Sequence, residues 1–551
     1  MWFAAYFVLL CVFSQGTFAT PWKTPPVFSD SYTVKGTLYI PYAEIREPFY
    51  AWYDLKAGSS RIDYYGGMVK TYQLSTIGKF GVMRKIVPVT TETQMNVDSC
   101  LQVNGSNEFH VQPQSILPDL SQFKWIGQDM VAGVQCDKWR LVDRQGDKVS
   151  KYTMWVRTKR SVGRADLVVP IRYEMKGYNS LLGSHYDHYY LEYEWFSAEV
   201  PSPEVFRLRA NVTCGAFPGP GDRHLATFNP MREFVHGDDA HVQRAFAAFE
   251  RRHARAYPHP AERARRAELF RQNLRFIHSK NRAGLGFSLD INHLADRSDI
   301  ELKALRGRQY TKQASNGGLP FPHATTPDAL NAIPDNLDWR LLGAVTPVKD
   351  QSVCGSCWSF GTTGTIEGAY FLKYHKQVRL SQQALIDCSW GFGNNGCDGG
   401  EDFRSYDWMM KHGGLPSEDE YGPYLGQDGY CHIDKVKPVA AIKGFVNVTS
   451  GDEKALKVAV AKQGPISVAI DASKKTFTFY ANGIYYDPEC GNQPDQLDHA
   501  VLLVGYGKLN GKPYWLVKNS WSNYWGNDGY VLMSPKNNNC GVMTDPTYVL
   551  M

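Results

Sequence analysis

Two cysteines stand three positions apart in Gln351-Ser352-Val353-Cys354-Gly355-Ser356-Cys357-Trp358-Ser359-Phe360, where small residues give way to an apolar helical stretch. A thiol in the first turn of a helix lies at the positive end of the backbone dipole, which favours thiolate over thiol. Cys357 is therefore a candidate nucleophile and Cys354 a candidate for another role, and nothing in these ten residues separates the two. Thiol chemistry also needs a base to hold the proton, a group to orient that base, and donors for an oxyanion.

The elements that must supply and position those groups are spread over 551 residues, more than one hydrophobic core usually supports, so two or three domains are expected. The net charge of +5 is small for this length and gives no reason to invoke nucleic acid or an acidic membrane as a partner. Residues 2–13 form an apolar run followed by Ser14-Gln15-Gly16-Thr17-Phe18-Ala19. At about 12 residues it is too short to cross a bilayer but suits a signal peptide, assigned to residues 1–19. No later stretch is long and apolar enough to span a membrane. Sequons at Asn104, Asn211 and Asn447 and eleven cysteines fit the secretory pathway, with a lysosome, a granule or the extracellular space as destination.

Residues 20–210 are rich in Tyr, Val, Trp and Phe and poor in helical periods. Tyr32-Thr33-Val34-Lys35-Gly36-Thr37-Leu38-Tyr39-Ile40 alternates as a half-buried strand does. Turn signals at Gly66-Gly67, Asn104-Gly105 and Gly146-Asp147 separate further strands. These features predict a mostly antiparallel β domain of unknown role. A groove for an apolar ligand is one use of such a sheet; a structural or partner-binding face is the other. Cys100, Cys136 and Cys214 belong here, and a Cys100–Cys136 pair with Cys214 left over is the pairing expected. A Gly/Pro-rich linker follows over residues 211–238.

Composition then changes to Ala, Arg, Glu and aromatics at helical spacing, predicting helices over residues 240–257 and 261–282. Glu262, Arg266, Phe270, Asn273, Ile277 and Asn281 fall on one stripe of the second helix. Residues 306–331 are polar and aperiodic and read as an exposed linker of the kind that is cut.

These patterns resemble a known family. The six-residue stripe is the Glu-Arg-Phe-Asn-Ile-Asn pattern of the inhibitory propeptide of papain-like cysteine proteases, with every position filled. Asp290-Ile291-Asn292-His293-Leu294-Ala295-Asp296 resembles that propeptide's Gly-x-Asn-x-Phe-x-Asp motif, with Asp and Leu replacing Gly and Phe. Cys354-Gly355-Ser356-Cys357-Trp358 matches the signature around the papain-family nucleophile without a mismatch. The resemblance covers residues 239–551: propeptide and cleavage linker over 239–332, protease domain over 333–551.

The resemblance implies an α+β fold in which a helical subdomain carries Cys357 and a barrel-like β subdomain carries a base, His499. It further implies that Gln351 donates to the oxyanion, that Asn519 orients His499, and that Trp521 and Trp525 shield the His–Asn bond. A thiolate–imidazolium pair that persists below neutral pH is expected of such a site. The implied disulfides are Cys354–Cys397, Cys388–Cys431 and Cys490–Cys540. The implied substrate pocket is lined by Glu401, Asp402, Ala469, Leu497, Ala500 and Asp545. Asp545 stands where the cathepsin B branch of the family carries a pocket-floor acid, which predicts tolerance of Arg or Lys there. No insertion between Cys397 and Cys431 is long enough to cap the cleft, so the expected activity is that of an endopeptidase acting on proteins and peptides. No His/Cys/Asp cluster has ligand spacing, so neither metal nor cofactor is expected. The layout is similar to that of two-chain, cathepsin-like proteases of insect haemocytes, which implies an N-terminal part that stays with the mature protease. The alternative is a binding or carrier protein led by the β domain, with the protease in an accessory role.

Overall fold

The computed structural model describes residues 23–89, 97–160, 166–209, 212–216, 229–237, 239–313, 315–323 and 325–551. The signal segment, Asn211 and half of the expected linker lie outside the described residues.

The N-terminal region is one twelve-stranded sheet. Its strands are β1 (Ser31–Ile40), β2 (Ile45–Asp54), β3 (Ser59–Tyr64), β4 (Val69–Leu74), β5 (Val82–Val89) and β6 (Val97–Asn104), then β7 (Lys124–Val131), β8 (Val134–Gln145), β9 (Lys148–Lys159), β10 (Leu167–Asn179), β11 (Ser184–Ser197) and β12 (Cys214–Ala216). The order across the sheet is β12-β6-β5-β4-β3-β2-β1-β11-β10-β9-β8-β7, antiparallel except that β12 lies parallel to β6. Meander connections of this kind follow from short turns between successive strands. β1 is not half-buried as its alternation predicted: among its ten residues only Lys35 is exposed. It sits in mid-sheet between β2 and β11 and is covered on both faces, so its polar Thr33 and Thr37 are buried as well.

The cysteine pairing expected here is overturned. Cys100 bonds to Cys214, opposite it in the β6–β12 register, and Cys136 is free and buried. Cys136 lies on β8, nine strands from β6 in the sheet order. A disulfide requires α-carbons within about 7 Å, which strands that far apart cannot meet. The sheet face that an apolar ligand would use is filled by the chain itself, with Ile116, Leu117, Leu120, Phe123, Met231 and Phe234 in the same core as Tyr32, Leu38 and Tyr173.

Three helices follow: α1 (Met231–His236), α2 (Ala240–Arg252) and α3 (Pro260–Arg282). α2 stops five residues before the predicted end. Ala254 takes a positive φ of 47°, Pro258 and Pro260 disfavour helix before them, and Tyr257 leaves the axis to bond Asp296 at 2.8 Å. The short strand β13 (Phe287–Leu289) then joins the edge of the second, ten-stranded sheet by pairing with Tyr480–Tyr485 of the C-terminal region. In that region the helix Cys357–Tyr374, here α4, is buried on every side over residues 361–368. The strand His499–Leu509 pairs with Ile466–Ile470 on one side and Lys512–Lys518 on the other. Helix and sheet meet along the Cys357 and His499 ends. Among the described residues no helix is long and apolar enough to cross a membrane.

Candidate active site

Cys357 opens α4 after Ser356, and its side chain is fully buried. Its sulfur lies 3.5 Å from the backbone N–H of Ala500, the residue after His499. His499 is equally buried, and its Nε2 is 2.8 Å from Asn519 Oδ1. The Ser520 backbone N–H also donates to that oxygen, at 2.8 Å, so the amide orientation is set. An oxygen facing Nε2 requires the proton on Nε2, which leaves Nδ1 as the basic nitrogen. Nδ1 makes no hydrogen bond. The Trp521 ring stands 4.8 Å from the His499 ring and Trp525 stands 5.7 Å behind Trp521, both buried.

Gln351 is held from two directions. Ser520 Oγ donates to its Oε1 at 2.7 Å, and its Nε2 donates to the carbonyls of Cys354 at 2.7 Å and Leu305 at 2.9 Å. Leu305 belongs to the segment before the C-terminal region, so that segment's own carbonyl fills the oxyanion position. The reading of residues 306–331 as an exposed linker therefore fails over its first part. Gly307 and Gln309 pair with Gly400 in a parallel bridge through bonds of 2.9 and 3.0 Å, and Arg308 N–H donates to Asp498 O at 3.0 Å. Gly307 passes so close to the nucleophile loop that a Cβ there would lie 1.8 Å from the Gly355 carbonyl oxygen. Only glycine fits such an approach. Leu305, Gly307, Arg308, Gly400 and Ser520 were not singled out from sequence; a glycine flanked by two arginines in an otherwise polar stretch was the available signal.

Burial controls the ionisation of the pair. The Cys357 thiol is pushed up to about 11 by burial, against the backbone N–H groups of Ala500 and Gly307. His499 is pushed down to about 4 by burial, against its bond to Asn519. With residues 305–309 over the site, burial disfavours both charges of the expected thiolate–imidazolium pair in this closed form.

Of the expected pocket residues, Leu497 and Asp545 meet at Arg308, while Ala500 lies against the Cys357 sulfur. Arg308 donates to Leu497 O at 2.9 Å and Pro494 O at 3.1 Å and pairs with Asp545 at 2.5 Å. Asp402 is half-buried, accepts from Thr547 Oγ1 at 2.6 Å, and is pushed up to about 6 by desolvation and then by Asp545. Ala469 lies beneath, paired in register with Ala500. Glu401 sits farther along and grips Thr311 Oγ1 at 2.8 Å rather than Arg308. Disulfides join Cys354–Cys397, Cys388–Cys431 and Cys490–Cys540. The Asn104 side chain is exposed, whereas Asn447 is half-buried and exchanges hydrogen bonds with Asn316 at 2.7 and 3.0 Å.

The six-residue stripe of α3 ties the segment together. Arg266 bonds Glu262 and Glu301 at 2.6 Å each and the Asp296 carbonyl at 2.9 Å. Asn273 donates to Ala295 O at 2.8 Å, Asn281 exchanges bonds with the Leu289 backbone, and Phe270 and Ile277 are buried. Asn292 reaches across to Thr478 O at 2.8 Å. Among the described residues no group of His, Cys, Asp or Glu is placed to hold a metal ion.

Comparison with known proteins agrees with this architecture. Residues 333–550 match the papain family cysteine protease, and residues 246–302 match the cathepsin propeptide inhibitor domain. The chain is 42% identical over 320 residues to the cathepsin L-like peptidase of Aedes aegypti, covering 56% of this chain and 94% of that one. It is 40% identical over 316 residues to cathepsin L of Sarcophaga peregrina, covering 56% and 92%. Digestive procathepsin L 3 of Tenebrio molitor larval midgut superposes with a TM-score of 0.51 at 36% identity, over 56% of this chain and 99% of that one.

Proposed function

The chain belongs to the papain family of cysteine proteases, as a thiol endopeptidase made with its own inhibitory propeptide, and from that membership we propose the roles of its residues. Once residues 305–311 leave the cleft, water reaches Cys357 and His499 and the charged pair becomes favourable. His499 Nδ1 takes the Cys357 proton, and the thiolate attacks the scissile carbonyl carbon. The carbonyl oxygen becomes an oxyanion, which the Gln351 side-chain N–H and the Cys357 backbone N–H receive. Collapse expels the amine, which takes its proton from His499 and leaves a thioester on Cys357. Water, deprotonated by His499, then hydrolyses the thioester and returns the thiol. Asn519 holds the imidazole with Nδ1 toward the sulfur, and Trp521 and Trp525 keep water from that bond. The observation that carries this reading is the buried His499–Asn519 bond beside Cys357, with a peptide carbonyl already seated on Gln351. Labelling by the epoxide inhibitor E-64 tests it: processed enzyme should label, and Cys357→Ser should not.

The pocket lined by Leu497, Ala500, Ala469, Asp402 and Asp545, with Glu401 at its edge, takes a basic residue as well as an apolar one at the second position before the scissile bond. Arg308, which lies there in the closed form, supports this. Hydrolysis of Phe-Arg and Arg-Arg fluorogenic dipeptides by processed enzyme tests it. Asp545→Ala should lower Arg-Arg cleavage about tenfold and spare Phe-Arg. An unchanged ratio defeats the assignment.

The stripe Glu262, Arg266, Phe270, Asn273, Ile277 and Asn281 acts as the scaffold of the inhibitor. The protein enters the secretory pathway and works in a lysosome, granule or the extracellular space, with its N-terminal part retained after processing. The four disulfides support an oxidising compartment. N-terminal sequencing and non-reducing gels of the mature protein test both points. The carrier reading is not favoured.

A further inference from the structure

An amphipathic helix that rests on one partner buries one stripe and leaves the rest in water. α3 does not behave this way: every residue from Phe270 to Ile277 is buried, including Arg271, Gln272 and Arg275, and so are Ser279 and Arg282. The stripe of Phe270, Asn273, Ile277 and Asn281 faces the rest of the propeptide. The opposite stripe faces the β domain.

That second contact is polar and specific. Arg275 pairs at 2.8 Å with Asp187, on β11, and at 2.6 Å with Glu233, on α1. Arg282 places Nε and Nη2 on the two carboxylate oxygens of Glu47, on β2, at 2.5 and 2.8 Å. Ser279 donates to the same carboxylate at 2.8 Å and meets Tyr65 at 2.6 Å. Lys148 pairs with Glu268 at 2.9 Å. Asp187 is 0% and Glu47 1% exposed. A carboxylate so deep in protein is tolerated only with a cation beside it, and for these two the arginines come from α3. α1 completes the contact: its Phe234 ring lies 5.0 Å from the Tyr189 ring, and Tyr189 Oη donates to the Phe234 carbonyl at 2.8 Å.

We propose that the β domain is the receptor for the propeptide helix, with Glu47 and Asp187 as sockets for Arg282 and Arg275. Residues 23–305 are then one inhibitory unit. The sheet holds the propeptide folded from behind while its other face covers the cleft, so cutting the chain within residues 312–331 does not by itself discard the inhibitor. This rests on the propeptide reading above and adds a function for the β domain.

The test uses the full-length zymogen with the isosteric substitutions Glu47→Gln and Asp187→Asn, alone and together. Each removes a charge and keeps the shape. Acid activation, followed by Phe-Arg hydrolysis, should accelerate about tenfold in Glu47→Gln, where buried Arg282 loses its paired carboxylate, severalfold in Asp187→Asn, where Arg275 keeps Glu233, and most in the double variant. The fully processed enzyme should show unchanged kcat and KM. Activation within about twofold of wild type in variants that keep their β-sheet circular dichroism overturns the proposal. Should the variants not fold, hydrogen exchange of the cleaved wild-type protein decides. Amides of residues 262–282 that stay protected in a complex with the β domain support the receptor, and rapid exchange overturns it. If processed wild type neither cleaves peptides nor labels with E-64, the protease reading fails, while the exchange result still reports on the receptor.

Discussion

The closed form should open in acid through two histidines, and the size of the effect follows from their burial. His499, beside the nucleophile, is pushed down from 6.5 to about 4, chiefly by burial. His293, in the propeptide motif, is pushed down to about 3 by burial and then by His253, Arg255 and Arg297. Its Nδ1 has no hydrogen-bond partner, and Arg255 donates to the His293 carbonyl, which fixes that cation nearby. A histidine with a lowered value in the closed form binds its proton more tightly in the open form. Neither histidine disfavours closure at pH 7. Below pH 6.5 each disfavours it by about 1.4 kcal/mol per pH unit, until the closed value is reached. At about pH 4.5 this amounts to about 2.7 kcal/mol each. For His293 the figure is an upper bound, because an adjoining cavity of about 410 Å³, between Arg297 and Tyr524, admits water. Glu301 does not compete in this window: burial raises it, but Arg266 and Ser298 hold it far below the usual carboxylate range. The assay is hydrogen exchange of residues 305–311 against pH in full-length Cys357→Ala, which cannot cut itself. The opening constant should rise by up to about a hundredfold per pH unit with both histidines and about tenfold with His293→Asn. Identical slopes for the two proteins would refute the argument for His293.

Gly307→Ala should make the zymogen leaky, since a methyl 1.8 Å from the Gly355 oxygen must displace the segment. Overpacking of about 1–3 kcal/mol corresponds to roughly tenfold or more in E-64 labelling of unprocessed protein at neutral pH. Arg308→Ala removes the ion pair with Asp545, which is 43% exposed, together with two carbonyl contacts. A loss of about 1 kcal/mol should speed activation several-fold, measured as the lag before Phe-Arg hydrolysis. Cys214→Ser should cost the β domain about 2–4 kcal/mol through the lost bond to Cys100. That loss should be read as a lower Tm, with kcat/KM of the processed protease unchanged.

What was legible in the sequence was local. Cys354-Gly355-Ser356-Cys357-Trp358, the stripe from Glu262 to Asn281 and the strand-forming runs of the β domain each lie within a few turns or one strand. Side-chain type and spacing there dictate helix, strand and the chemistry of a thiol at a helix start. Even so, alternation in β1 misjudged burial, because periodicity reports one face and says nothing of what covers the other. Pairings across long stretches of chain were decided by the tertiary structure alone. The order of twelve strands put Cys214 rather than Cys136 beside Cys100. Packing brought Glu47 to Arg282 and Asp187 to Arg275, enclosing on its opposite side a helix for which the sequence pattern marked one stripe. The same packing carried Leu305 to Gln351 and Arg308 to Asp545, so a stretch without periodicity became the plug of the cleft. Residue types specify what a group can do chemically; only the folded chain brings distant groups within hydrogen-bonding distance and removes the water that would otherwise set their charge.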